Sequence, residues 1–259
     1  YQDGAFVGQA AIQANFGSME NRGVELLIQG DIVRNENTRI TLTANGSYNQ
    51  NKVLEIPEES GFAVTGLTGY KEGQPFNEFY MYKYIGVNPN TGEAQFQTKE
   101  GGVTETPTEN DLFWTGKTMW PKYQGGFGLD IEHKGWFLTA NFTFAKDIYR
   151  YDNDYLWFTN AAFLDTNNMS ADLWNAWSTT NKDGNFPALN ARNNSYFVDS
   201  DYYIKDASYV RLRFLSIGYN FNKKDLSFLN LSGLRIFAQG ENLYTWTNWK
   251  GWDAESSRG

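Results

Sequence analysis

The chain has 259 residues and is rich in aromatic side chains (17%), yet its mean hydropathy of -0.58 is polar. A net charge of -8 argues against a nucleic-acid partner, because such binding calls for clustered Lys and Arg. No stretch approaches the ~20 consecutive apolar residues that a membrane-spanning helix needs.

Two segments near the start of the chain alternate between apolar and polar residues, the pattern of a half-buried strand. In 38–50 the apolar positions share one face, and in 22–33 the same pattern holds with Leu27 and Val33 as exceptions. The turn Asn35-Glu36-Asn37 joins them. Because only antiparallel neighbours can be joined by a tight turn, the two segments are predicted to pair.

Four further strands follow in two more pairs. Segments 123–133 and 136–147 are joined by the turn His133-Lys134-Gly135, and 208–221 is followed by 233–244. Val210 and Leu212 are out of phase with the apolar residues further along their strand. This break predicts a β-bulge or a strand end outside the bilayer.

The lengths of the connectors indicate the architecture. Connectors within pairs are short, whereas 51–122 and 147–207 are very long. Strands of ~9–11 residues, short turns at one end and long loops at the other are typical of an antiparallel transmembrane β-barrel with long extracellular loops. Such a barrel also explains the composition, because aromatic residues concentrate at its two membrane interfaces. The alternation alone leaves a secreted β-sandwich open.

The barrel interpretation assigns the faces of the strands. Apolar residues are predicted to point to lipid and their polar neighbours into the lumen. Six to eight strands cannot close with the expected shear, and unpaired strand edges are costly in lipid, so the chain is predicted to be part of a larger barrel. The lipid-facing set is Ile40, Leu42, Leu129, Ile131, Phe142 and Ile236, and the lumen set is Thr41, Asp130, Asn141 and Gln239.

The sequence offers little catalytic chemistry. It has no Cys, and its single histidine, His133, falls in a tight turn where a solvated side chain is expected. No nucleotide-binding or hydrolase motif occurs. In the loop 97–104, Lys99 and Gly101 stand where a calcium-binding turn would carry acidic residues. We therefore expect no enzyme, no catalytic residue, no metal site and no cofactor.

Tryptophans in the long connectors are the candidates for contact with a substrate or a partner. The segment 170–177 begins with Ser170 as an N-cap and is predicted to form a short helix. The alternative for all of them is packing within loops or in an aromatic belt, which we prefer for Trp246 and Trp249 at a strand end. The candidates are Trp114, Trp120, Trp157, Trp174 and Trp177.

Several short motifs stand in order along the chain and together cover nearly all of it. They are the N-x-G-x-x-x-N-x-G-x-E-like stretch Asn15–Leu26, Gly73-Gln74-Pro75-Phe76, Gly86-Val87-Asn88-Pro89-Asn90-Thr91-Gly92, the G…P-x-Y-x-G-G-F-like set from Gly116 to Phe127, Asp206–Arg213 with Gly218-Tyr219, and Gln239–Leu243 with Gly251–Glu255. In this order the motifs resemble those of the SusC/RagA family of TonB-dependent receptors from Bacteroidetes.

The resemblance implies a 22-stranded outer-membrane barrel filled by an N-terminal plug. It also implies uptake of oligosaccharides or peptides with TonB-supplied energy and a SusD-like surface lipoprotein as a lid. The plug, the TonB-contacting segment, the earlier strands and the terminal strand have no counterpart here, so residues 1–259 are interpreted as a C-terminal portion of the barrel. The alternative function is a secreted carbohydrate-binding or adhesion module without transport.

Overall fold

The computed structural model describes residues 17–57, 61–222, 226 and 231–255. Asn15 and Phe16 of the first motif lie outside them. The structure has four short 3-10 helices, Glu109–Asp111, Ala161–Phe163, Ala171–Asn175 and Asp201–Tyr203. Its other elements are β-strands and α-helices. In chain order these elements are β1 (Ser18–Arg34), β2 (Thr38–Glu55), β3 (Phe62–Thr65), β4 (Thr68–Lys71), β5 (Glu78–Tyr82), β6 (Tyr84–Val87), β7 (Ala94–Gln97), β8 (Val103–Thr104), β9 (Leu112–Thr118), β10 (Tyr123–His133), β11 (Trp136–Lys146), β12 (Tyr149–Tyr151), α1 (Asn153–Thr159), α2 (Asn194–Val198), β13 (Ile204–Asp206), β14 (Tyr209–Phe221) and β15 (Leu234–Thr247).

The six long strands form one antiparallel sheet, the main sheet, in the order β1-β2-β10-β11-β14-β15. All three predicted strand pairs are confirmed. In the described residues β1 and β15 are the free edges of this sheet. The main sheet is thus an open part of a larger barrel wall, as the strand count predicted, and not a closed barrel.

The register gives the main sheet an apolar and a polar face. Lateral rows on the apolar face are Ile40–Ile131–Leu138–Ile217–Ala238 and Leu42–Leu129–Ala140–Leu215, and a row on the polar face is Thr41–Asp130–Thr139–Ser216–Gln239. Every residue assigned to lipid or lumen from the sequence lies on the predicted face.

Large side chains on the apolar face are exposed and not packed in a core. Leu42 and Ile217 are 44% and 47% exposed, and Ile236 is 57% exposed. Among the described residues no second sheet packs face to face on the apolar rows. A β-sandwich would bury such rows in a core between two sheets. The architecture is therefore that of a barrel wall, and the sandwich alternative fails.

The strands have the length of a membrane crossing. From Tyr123 to His133 the chain rises about 33 Å at ~3.3 Å per residue, and a tilt of about 45° reduces this to about 23 Å. Aromatic pairs mark both ends of the apolar face. Tyr48 and Tyr123 are 5.1 Å apart at one end, and Trp136 and Tyr219 are 5.1 Å apart at the other. An apolar band of ~25 Å between two aromatic girdles is characteristic of outer-membrane barrels.

The predicted irregularity in β14 is a bulge at Arg213. Asn141 of β11 pairs with Phe214, but the next residue, Phe142, pairs with Leu212. On the other side, Asn242 and Leu243 of β15 stand opposite Arg213 without a paired residue, and Asn242 has a positive φ of 53°. Because of the bulge, the apolar residues of β14 before and after Arg213 point to the same face of the main sheet.

The long connectors, whose strand content the sequence alone left open, are folded. Residues 51–122 hold the end of β2 and two small sheets, β3-β4-β5-β9 and β6-β7-β8, and residues 147–207 hold both helices and the β12-β13 pair. Most of these strands have two to five residues, too few to show a clear alternation. No helix in the described part of the chain is long and apolar enough to cross a membrane.

Candidate functional site

The two connectors share one hydrophobic core, and we call residues 61–122 and 147–207 together the outer unit. Tyr82 and Phe96 from the first connector pack with Phe197 and Tyr203 from the second, and all four are buried. Aromatic rings dominate this core, so much of the chain's aromatic content serves packing within the outer unit as well as the membrane interface.

A buried amide joins the two connectors. The Asn193 side chain donates from Nδ2 to the carbonyl oxygens of Ala94 (2.9 Å) and Glu105 (2.8 Å), and it accepts from the Ala94 N–H (3.2 Å). The Glu93 carboxylate accepts the backbone N–H groups of Arg192 and Asn193. These bonds fix the second connector against β7, so the outer unit can hold a surface in a defined shape.

Trp114 and Trp177 are engaged in packing. The Trp114 ring lies 4.5 Å from that of Tyr80 on the neighbouring strand. Trp177 donates from Nε1 to the Pro89 carbonyl (3.0 Å) and covers Gly92, where an added Cβ would collide with its ring. Gly92 also has a positive φ of 76°. Glycine suits this position because it has no Cβ to collide with the ring and because it adopts positive φ without strain.

The other three candidates present their rings to the outside. Trp174 is 90% exposed, Trp120 55% and Trp157 47%, with Trp157 stacked on Phe163 at 4.3 Å. Trp174 lies in the 3-10 helix Ala171–Asn175, whose N-cap Ser170 accepts from the Asp172 N–H, so the predicted cap and short helix are confirmed. Among the described ring contacts, none joins two of the five candidates.

Trp120 lines a cavity of about 1080 Å³ at the junction between the main sheet and the outer unit. The rest of its lining is rich in carboxamides and aromatic rings. Carboxamides offer donors and acceptors together, and aromatic rings offer flat apolar faces. The lining includes Asn21, Asn49, Gln50, Asn51, Gln74, Gln124, Tyr48, Phe76 and Tyr123. The arrangement suits a neutral polar ligand with apolar faces, such as a sugar or a peptide.

Sequence reasoning missed this amide set. The run Asn49-Gln50-Asn51 continues β2 beyond Tyr48, where β10 no longer pairs with it. Instead Asn51 accepts the Phe76 N–H (2.7 Å) through its side chain, and the Val53 N–H donates to the Gln74 carbonyl. The cluster of Asn and Gln at one strand end was the available signal.

Two of the family-like motifs meet at the bulge in β14. Arg211, which is buried, binds Asp253, Glu255 (2.9 Å) and the Thr245 hydroxyl (2.9 Å), and Arg213 binds Glu255. The Arg211 guanidinium lowers the pKa of the Asp253 carboxyl below its usual range. This ionic cluster holds the segment after β15 against the polar face.

The remaining sequence candidates have structural roles. His133 is exposed in its turn, with Nδ1 2.7 Å from the Thr38 hydroxyl. Trp249 packs with Ala145 and Ala207, and Trp246 lies on the apolar face at the aromatic girdle. In the described residues no three or more His, Cys, Asp or Glu side chains are grouped as a metal site would require.

The chain is similar to several known proteins in sequence and in structure. No family model matches the chain. It is 26% identical to a TonB-dependent receptor of Formosa agariphila over 96% of the chain, and 24% identical to the TonB-dependent receptor SusC of Bacteroides thetaiotaomicron, also over 96%. The solved RagAB peptide transporter superposes with a TM-score of 0.84 at 26% identity over 95% of the chain, and the closed-closed RagAB importer with 0.85 at 27%.

The chain is SusC/RagA-like. Its fold matches part of the barrel of outer-membrane TonB-dependent receptors. In bacterial outer-membrane barrels the short turns lie on the periplasmic side and the long loops outside the cell. The chain spans about a quarter of the length of these relatives, with 28% of the Formosa receptor, 25% of SusC and 28% of the RagAB chain covered. The relatives are receptors and transporters, and none is named as an enzyme.

Proposed function

We propose that this SusC/RagA-like segment belongs to an active importer that takes up oligosaccharides or peptides with energy supplied through TonB. The observation that carries the proposal is the amide and aromatic cavity at the outer end of a membrane-spanning sheet. The similarity to SusC and to a RagAB structure described as a peptide transporter supports nutrient import. The cavity chemistry is compatible with either substrate class.

We further propose that residues 1–259 supply a C-terminal portion of the barrel. The plug and the segment that contacts TonB would then belong to other parts of the longer protein. The open edges of the main sheet support this arrangement, because β1 and β15 each need a further strand to satisfy their backbone groups in lipid.

Within the importer, we propose that Trp120 contacts substrate and that Trp157 and Trp174 meet a SusD-like lid. Trp120 is part of the cavity, whereas Trp157 and Trp174, like Phe158 and Leu164, are large apolar side chains exposed on the outer unit. Exposed Trp side chains are common anchors in protein interfaces. Trp114 and Trp177 support these surfaces through their packing.

The acidic residues around this surface influence the choice of ligand. Asp154, Asp165 and Asp172 are exposed, so their charge disfavours a strongly anionic substrate or partner. Asp152 does not share this role. It is buried and caps α1 by accepting the Tyr155 N–H (3.0 Å), and burial raises the pKa of its carboxyl.

The test uses the full-length receptor with Trp120→Ala, the double variant Trp157→Ala/Trp174→Ala, and Trp136→Ala as a control at the periplasmic end. Trp120→Ala should raise the half-saturating substrate concentration for uptake about tenfold, equivalent to about 1.4 kcal/mol of lost contact. The double variant should release the lid during co-purification. The control should change neither readout.

Unchanged uptake and lid association in all three variants would assign the tryptophans to loop packing. If the double variant lost the lid but Trp120→Ala kept the original half-saturating concentration, the lid surface would stand. Trp120 would then not be a substrate contact.

A further inference from the structure

The polar face of the main sheet carries a groove that runs across the strands near their outer end. Two neighbouring lateral rows form it, and both lie on the polar face because their residues are an even number of positions from Thr41 along β2 and from Asp130 along β10. A cavity of about 700 Å³ lies over these rows, and we call it the wall groove. The rows are Glu25–Ser47–Gln124–Ala145–Tyr209 and Leu27–Asn45–Gly126–Thr143–Arg211.

The wall groove adjoins the cavity that Trp120 lines, but it is a different site. Among the described residues Gln124 alone lines both. Asn49 of the first cavity donates from Nδ2 to the Ser47 hydroxyl of the groove at 3.4 Å. A long ligand that fills the first cavity can therefore continue along the protein surface into the groove.

Several polar side chains of the wall groove have no hydrogen-bond partner. The Thr143 hydroxyl oxygen is buried and unpaired. The exposed side chains of Glu25, Asn45 and Gln124 make no hydrogen bond or ion pair with any described residue. Buried polar groups in native proteins are usually paired, so the unpaired hydroxyl calls for a partner from outside this chain. The groove thus offers a set of free donors and acceptors to a polar ligand.

The same polar face is different closer to the short turns. There Asp31 accepts hydrogen bonds from the Thr41 hydroxyl (2.7 Å) and the Arg39 guanidinium (3.1 Å). Asp130 accepts a hydrogen bond from the Thr139 hydroxyl (2.7 Å). The carboxylates at that end are paired within the sheet itself. Free hydrogen-bonding capacity next to an unpaired carboxylate is therefore a local feature of the wall groove.

The dimensions of the wall groove fit an extended peptide. From β1 to β14 it crosses four strand spacings of ~4.8 Å, about 19 Å in all, and an extended chain covers this length with about six residues at ~3.3 Å each. The carboxamides of Asn45 and Gln124 can each donate and accept, as the N–H and C=O groups of a peptide backbone require. Gly126 has no side chain, so a ligand backbone can come close to the sheet there.

The β1 end of the wall groove is negatively charged. The Glu25 carboxylate is exposed, and no cation lies within ion-pairing distance of it in the part of the chain that the structure describes. At the other end, Arg211 is already bound to Asp253 and Glu255. A carboxylate binds an ammonium group more strongly than a neutral donor. This end of the groove therefore favours the amino terminus of a peptide over a neutral sugar.

We propose that the wall groove binds the amino-terminal residues of a peptide substrate. The α-amino group lies at Glu25, and the peptide backbone lies along Asn45, Gln124 and Thr143. The site rests on the proposed import function and narrows its substrate from two classes to peptides. It also adds a second contact region beside the cavity that Trp120 lines.

The first test measures the role of Glu25 in the purified full-length receptor in detergent. The probes are a neutral hexapeptide of Ala and Ser and the same peptide with an acetylated amino terminus, and isothermal titration calorimetry gives both affinities. The receptor should bind the free peptide about tenfold more tightly, equivalent to about 1.4 kcal/mol. Glu25→Gln should remove this difference. Glu132→Gln, which changes an exposed carboxylate near the short turns of the same face, should preserve it.

The second test removes the uncharged contacts. Asn45→Leu and Thr143→Val take away a carboxamide and a hydroxyl with little change in shape, and each should weaken binding of both peptides about fivefold, or about 1 kcal/mol. The Tm of Thr143→Val should not fall, because its hydroxyl has no partner in the described residues. Thr43→Val, one row closer to the short turns on the same face, is the matched control and should change neither affinity nor Tm.

Equal affinity of the original receptor for the free and the acetylated peptide, or unchanged affinity in folded Asn45→Leu, would overturn the site. So would variants that lower the Tm without weakening peptide binding, because another part of the receptor would then fill the groove. Tighter binding of maltohexaose, weakened by the same substitutions, would overturn the choice of peptides. Uptake assays separate this site from import itself. A receptor that takes up a sugar and binds neither peptide would retain import and lose the site, whereas peptide binding with the predicted losses but without uptake would retain the site and contradict import.

Discussion

At the scale of single residues, Glu78 is a buried carboxylate without full compensation. It is 1% exposed in β5, Oε1 accepts the Gly116 N–H, and Oε2 has no hydrogen-bond partner. Burial raises the pKa of the Glu78 carboxyl, while Lys122 and Lys71 partly oppose the shift. A charged carboxylate that lacks partners destabilises the fold around it.

The sign of the pH dependence follows from this shift. The folded state binds the proton more tightly than the unfolded state, so the stability of the outer unit should fall as pH rises from the unfolded pKa through the raised folded pKa. Glu78→Gln should remove this dependence and stabilise the outer unit at neutral pH. Hydrogen exchange of the β5 and β9 amides at acidic and neutral pH measures both effects. Equal exchange in the variant and the original receptor at both pH values would contradict a raised pKa of the Glu78 carboxyl in the folded state.

At the scale of elements, the long strands and the small ones differ in how well the sequence predicts them. The six long strands were predicted because each repeats an apolar residue at nearly every second position. The break in phase at Val210 and Leu212 predicted a bulge or a strand end, and the structure shows a bulge at Arg213. The small sheets of the outer unit were not predicted, because their core joins residues such as Phe96 and Phe197 that are about 100 positions apart in the sequence. The tryptophan candidates were likewise identified from the sequence. The carboxamide lining of the cavity was not, because it depends on where β10 ends.

The apolar face makes a prediction for the strand β10. Leu129 lies about midway between the two aromatic girdles, in a row with Leu42 and Leu215. An arginine there faces hydrocarbon, so Leu129→Arg in the full-length receptor should cost ~2–4 kcal/mol in the free energy of unfolding. Asn141→Arg, on the polar face of the next strand, is the control and should cost much less. Denaturant titration in lipid vesicles measures both, and equal losses would contradict the assignment of the faces.

At the scale of the whole molecule, a membrane wall and a folded outer unit form a continuous structure. The wall supplies the crossing, and the outer unit, built from both long connectors, forms the cavity at its outer end. The ionic cluster around Arg211 fixes the segment after β15 to the polar side of the same wall. Binding surfaces on such loops can vary in sequence while the sheet holds them in place.

The central claim is that the main sheet separates lipid from a polar lumen. The chain has no Cys, so single cysteines can be placed at successive positions of β10, from Leu129 to Glu132, in a full-length receptor with any cysteines elsewhere replaced by Ser. Spin labels at these sites report accessibility to oxygen, which partitions into lipid, and to a water-soluble nickel chelate. The account predicts that positions 129 and 131 are accessible to oxygen and that positions 130 and 132 are not. An absence of this alternation, or labels at 129 and 131 shielded from both reagents, would contradict it.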